Sequence, residues 1–318
     1  MADGGNVIYH FKADDKDLTS KLKGVGKVAA GVGAGLGAAF VAGTGVAIGA
    51  IANLTKKSVE SFAEYEQLEG GLESLFGKGS KEMNKVLKLS ENAYKDVTMS
   101  QNEYLNSFQA TYSIMKNGLS ENADAIEYTN KMISISSDLY NTYGGSVENY
   151  SNAINWALKG TYSYLGNLNI GIKGTKEGFI EAANKSGVLK KQIKDTSELT
   201  NDQIIDVIEH YTKAAGALNK TQEEASKTIQ GSMNMMKSSW ENLITGFSKD
   251  GADVGKLLDE FINSASTFVN NLFPVIERAL TGLLNILPKV LNSIVTKLPG
   301  AIQRLLPPLL TALTKLLQ

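Results

Sequence analysis

The side chains able to do chemistry are few and badly placed for it. His10 and His210 are the only imidazoles in the chain and stand about 200 positions apart. Neither has a partner at metal-ligand spacing, so no HExxH helix and no facial triad can be written. There is no cysteine, which removes thiolate zinc sites, disulfides and a cysteine nucleophile together. Glu60, Glu64, Glu66, Glu69 and Glu73 share one helical stretch. A pair of carboxylates can do acid/base work on a glycan, but Glu and Lys at helical spacing ordinarily form a solvated face, and that reading is preferred. Nucleotide loops fail on spacing. After Gly43-Thr44-Gly45, Ile48 stands where a dinucleotide loop needs its third glycine, and Gly71 to Gly77-Lys78 has one residue too many for a P-loop, with Gly79 in place of the metal-holding Ser or Thr. No metal and no cofactor is expected, and an enzyme is not the expected class. Trp156 and Trp240 read as core or contact residues, and Met233, Met235 and Met236 as adaptable helix packing.

The elements around these residues carry more information. Lys plus Arg (32) nearly balances Asp plus Glu (33), so no basic field argues for specific nucleic-acid binding. The acidic opening, with its apolar stretch far downstream, does not fit a cleaved secretory signal. Four zones are expected. Residues 1–27 hold one short strand, Asn6 to Ala13, and a lead helix. Residues 28–54 are rich in Gly and Ala and uncharged. Residues 55–248 repeat apolar positions every three to four, with Asp or Ser before such segments and Gly after them, as helix starts and stops require. Residues 160–178 form the clearest loop, and residues 249–318 the most regular pattern. The fold class is thus mainly α: a helical middle flanked by a Gly/Ala helix and a proline-interrupted amphipathic train, plus one N-terminal strand.

In the Gly/Ala zone Val28, Val32, Leu36 and Phe40 recur every fourth residue, while Gly31, Gly33, Gly35 and Gly37 leave the adjoining face bare. Gly45 and Gly49 repeat the small-xxx-small spacing. Bare faces let helix backbones approach closely in lipid, and about 20 apolar residues cross a bilayer. Each glycine also costs roughly 1 kcal/mol of helix propensity. Two outcomes stay open: a segment that enters a membrane, and one that packs on copies of itself.

The last zone is built in elevens. Phe261, Leu272, Leu283, Ile294, Leu305 and Leu316 form one column, and Leu258, Val269, Leu280, Leu291, Ile302 and Leu313 another. Three further columns, beginning at Ile262, Ala265 and Phe268, are equally apolar. Eleven residues make three turns at 3.67 residues each, so the columns gather on one broad stripe. Its breadth favours bundles of three or more copies. Pro274, Pro288, Pro299, Pro307 and Pro308 all fall outside the stripe, where a proline bends a helix outward. Kinked helical pieces sharing one face are therefore expected, basic beyond Glu277 through Arg278, Lys289, Lys297, Arg304 and Lys315.

The run LTKKSVESFAEYEQL (residues 54–68), then GGLESLFGKGSKEM, ENAYKDVTMSQNEYLNSFQAT, LGNLNIGIKGTKE and GSMNMMKSSWENL in that order, resembles the tape measure proteins of long-tailed bacteriophages and prophages. Gly174, Thr175 and Lys176, and Trp240, Asn242 and Leu243, belong to its most specific parts. The resemblance covers nearly the whole chain, although family members are usually longer. It implies a structural protein that sets tail length, occupies the lumen of the tail tube and leaves ahead of the DNA, with insertion in the host membrane at ejection. Its implied partners are copies of itself, tail tube and distal tail proteins, and tail assembly chaperones. The alternative is a membrane-active, pore-forming or lytic protein using residues 28–54 and the basic stripe on lipid.

Overall fold

A computed structural model describes residues 47–297, with side chains placed for residues 56–282, Asn285 and Ile286. The expected N-terminal strand, the lead helix and most of the Gly/Ala zone lie outside the described residues, as do the repeats beyond Lys297. What is described is mainly helical: α1 Ala47–Phe76, α2 Lys81–Asp96, α3 Gln101–Lys116, α4 Ala125–Tyr143, α5 Val147–Leu158, α6 Lys176–Ser186, α7 Asn201–Ala214, α8 Lys220–Glu224, α9 Ile229–Ser248 and α10 Val254–Lys297. Two short 3-10 turns, Ser163–Leu168 and Thr196–Glu198, complete the order.

The helix starts follow from local chemistry. Ser80, Asp124, Ser146, Thr175 and Thr228 each accept a backbone N–H of the first turn, satisfying donors that have no partner within the helix. At α3 the capping is reciprocal, because Glu103 Oε2 also accepts the Ser100 amide at 2.7 Å. Gly144 and Gly187 close α4 and α6 with φ of 77° and 72°, a backbone region that side chains other than glycine avoid.

The chain divides into two compact units at Val269 and Asn270. The first contains two cores that share α4. One joins α1, α2 and α3 through Tyr65, Leu72, Val86 and Leu105, with Tyr104, Phe108 and Tyr112 stacked along α3 and Phe76 set edge-on to Tyr112. The other gathers α4 to α7 around Leu139, Ile154, Phe179 and Ile205, with Tyr162 stacked on Phe179 at 4.8 Å. Helix α4 sends Ile126 and Ile133 into the first and Met132, Ile135 and Leu139 into the second, so it is the wall on which both are built. Polar ties fix its neighbours. Asp138 is buried and accepts the amides of Asn219 and Thr221 at 2.7 and 2.9 Å, which seats α8. Lys131 pairs with Asp206 and Glu209 of α7 at 3.0 and 3.1 Å.

The two ends of this unit meet. Ser58 Oγ donates to the Ile244 carbonyl at 2.8 Å and lies 2.6 Å from Ser248 Oγ, and Ser61 Oγ lies 2.6 Å from Thr245 Oγ1. Small hydroxyl side chains let α1 and α9 approach closely while satisfying one another. Helix α10 then begins by covering the same unit: Leu258, Phe261, Ala265 and Phe268 are buried, the Phe261 ring 5.0 Å from that of Trp240. Helix α10 is assigned without a break across Pro274 and Pro288, over the first part of the stretch where kinked helical pieces were expected. A proline removes one donor and crowds one carbonyl. One turn beyond Pro274, Arg278 Nε donates to the Pro274 carbonyl at 3.1 Å.

Candidate functional site

Three sets of residues were singled out in the sequence, and the structure places them differently. The motif residues sit at points where the backbone is pinned. Gly174 leaves no room for a side chain, since a Cβ there would lie 2.6 Å from the Ser163 carbonyl oxygen. Thr175 caps α6 by accepting the Gly178 amide at 2.9 Å. Lys176 pairs with Asp195 at 2.7 Å, and that ion pair, helped by the Ser197 amide, holds the Asp195 carboxyl down to about 2. Asn242 is buried and accepts the Gln101 amide at 2.7 Å, joining α9 to the start of α3. Leu243 is buried and Trp240 half-buried against Phe261. These positions hold the loop 160–178 and helix α9 in place.

The eleven-residue stripe divides into a covered and an uncovered part. Leu258 and Phe261, assigned to self-association, are spent inside the chain's own first unit; Phe261 is 7% exposed. Leu272 is half-buried. Beyond it Phe273 (60%), Ile276 (43%) and Leu280 (56%) stand open, as do Val275 and Ile286 (55%). Val275 and Ile286 belong to none of the five columns, so the apolar surface of α10 is wider than the stripe. Leu283, Leu291 and Ile294 lie on α10 without described side chains, and Ile302, Leu305, Leu313 and Leu316 lie outside the described residues.

The Gly/Ala residues Val28, Gly31, Val32, Gly33, Gly35, Leu36, Gly37, Phe40 and Gly45 also lie outside, and Gly49 falls in the first turn of α1 with only its backbone described. Among the described residues no helix is long and apolar enough to cross a membrane.

A surface that sequence reading missed is a groove of about 610 Å³ between α3, the start of α5, the end of α4 and α9. Beside apolar groups such as Met99, Ala110 and Val147, its lining carries the amides of Asn106, Asn152, Asn155 and Asn234 and the carboxylates of Glu103, Glu148 and Glu241. Lys237 is the cation on its wall. Desolvation first, and then the charge of Glu103, push the Glu241 carboxyl above its usual value, although the side chain remains open to water. Nothing in residue order marks this groove, because its walls come from helices up to 138 positions apart (Glu103 to Glu241).

Three glutamates of α1 serve local contacts, Glu60 pairing with Lys56 at 3.7 Å, Glu73 with Lys78 at 3.3 Å and Glu69 accepting from Tyr65 at 3.4 Å, while Glu64 accepts from Asn102 Nδ2 of α3 at 3.3 Å. His210 is exposed, edge-on to Tyr211. Among the described residues no group of three His, Asp or Glu is placed to hold a metal ion. Fold and surfaces define a mainly helical protein with a pinned body and an open apolar helix. Comparison with protein-family models, with curated proteins and with solved structures gives no match.

Proposed function

We propose that this chain is a structural tape measure protein of a bacteriophage tail, which sets tail length, lies in the tube lumen and leaves ahead of the genome. The observation that carries the reading is helix α10, 44 residues long, whose Phe273, Ile276 and Leu280 have no cover. Exposed apolar patches of this kind mark sites of association. A helix of that length reaches about 66 Å at 1.5 Å per residue, and a fully helical chain would reach at most ~480 Å. Extension is therefore available to α10 while the two cores of the first unit stay folded. The ordered motifs from residue 54 to residue 243 support the same reading. Its partners are further copies of the chain, three or more around the broad stripe, with tail tube and distal proteins and assembly chaperones, and the host membrane at ejection.

The experiment is a deletion series. Removing eleven residues of the C-terminal repeat keeps the stripe in register and shortens the helical path by about 16 Å per chain. Assembled tails measured by electron microscopy are expected to shorten with each deletion. Tails of unchanged length would refute the ruler role.

A further inference from the structure

From the groove between α3, α5 and α9 we infer that this protein binds an extended basic peptide, an interaction independent of the ruler reading. The row Glu148, Asn152, Trp156 steps along α5 at four-residue intervals, so the three side chains share one helix face. Glu148 and Asn152 line the groove. Trp156 continues the row one turn on, 46% exposed and 6.0 Å from the exposed ring of Tyr164.

Each part has a use for a peptide. An asparagine amide offers a donor and an acceptor side by side, which matches the N–H and C=O of an extended backbone whatever its side chains. Asn106 on α3 and Asn152 on α5 are exposed and line the groove, while Asn155 Oδ1 is buried without a hydrogen-bond partner among the described residues. The carboxylates of Glu103, Glu148 and Glu241 outnumber Lys237, so a chain carrying Lys or Arg is charge-complementary and an acidic one is repelled. Desolvation, and after it the charge of Glu103, raises the Glu241 carboxyl within this groove. The flat face of Tyr164 suits the methylene stem of a lysine or the plane of an arginine, while the Trp156 ring already carries the chain's own Lys159 Nζ 5.3 Å from its centroid. A neutral glycan would use the amides and the rings but leave the surplus charge unanswered.

The full chain is titrated into a fluorescein-labelled nonapeptide of alternating lysine and alanine, and binding is read by anisotropy. Parallel titrations use the same peptide with glutamate for lysine, and unlabelled chitohexaose as competitor. Saturable binding of the lysine peptide alone is expected, weakened by rising salt. The pair Glu148→Gln with Glu241→Gln should weaken it about tenfold, and Asn152→Ala about fivefold even in high salt. Glu177→Gln, an exposed carboxylate on α6 outside the groove, should change nothing. The melting temperature of each variant separates lost binding from lost folding. Equal binding of the lysine and glutamate peptides, no binding of either, displacement by chitohexaose, or groove variants that behave like Glu177→Gln would each overturn the inference.

Discussion

A single methyl group tests how tightly the loop 160–178 is pinned. Gly174→Ala places a Cβ against the Ser163 carbonyl, which is backbone and cannot rotate away, so a loss of about 1–3 kcal/mol is expected in chemical denaturation. Unchanged stability would mean that the loop is not held there. Glu241 is the second residue-scale test. Its carboxyl is raised above its ordinary value of 4.5, so the folded chain binds a proton more readily than the unfolded one. Stability from this group is then greatest at low pH and declines as pH rises from about 4.5 through the raised value. Glu241→Gln should melt higher than the parent at pH 7, and the difference should vanish at pH 4. A difference that persists or reverses at pH 4 would contradict the assigned cause. Such positions were visible in the sequence only as letters. Glycine and glutamate types could be read, but not that Ser163 or Glu103 would stand beside them.

At the scale of elements, α10 offers an internal comparison between two phenylalanines twelve residues apart (Phe261 and Phe273). Phe261→Ala removes a ring packed on Trp240 and should cost about 3–5 kcal/mol of stability. Phe273→Ala removes a ring that is 60% exposed and should shift stability by no more than about 0.5 kcal/mol. The order reverses for self-association followed by sedimentation: Phe273→Ala should weaken it and Phe261→Ala should not, beyond its effect on folding. If both variants associate as the parent does, the open half of α10 is not the contact. The helices themselves were legible, because caps such as Ser100 with Glu103 and glycine stops such as Gly187 are written in adjacent residues. Continuity through Pro274 was not legible. The spacing of a proline tells where a bend is allowed, not whether the turns on either side stay in one helix.

For the first unit as a whole, closure by α1 and α9 is the defining event, and it joins residues more than 180 positions apart (Ser61 to Thr245, 184). The chain contains no cysteine, so Ser61→Cys with Thr245→Cys creates one possible disulfide. Oxidation should stabilise that variant by about 2–4 kcal/mol over its reduced form, read from denaturation midpoints. A pair that fails to cross-link in the folded state would show that the two helices do not meet at these residues.

What the sequence determined by itself is everything that depends on neighbours within a turn or two. The helical class, the caps, the glycine stops and the eleven-residue period are all set by interactions of residues three, four or eleven apart. What only the tertiary structure decided is which apolar residues are used up internally and which stay open. Leu258 and Leu280 occupy the same column of one repeat, yet one is buried and the other 56% exposed. The physical reason is that burial belongs to a pair of surfaces. The partner surface, on α9 and the helices beside it, is brought there by contacts too distant in the chain for any local pattern to record.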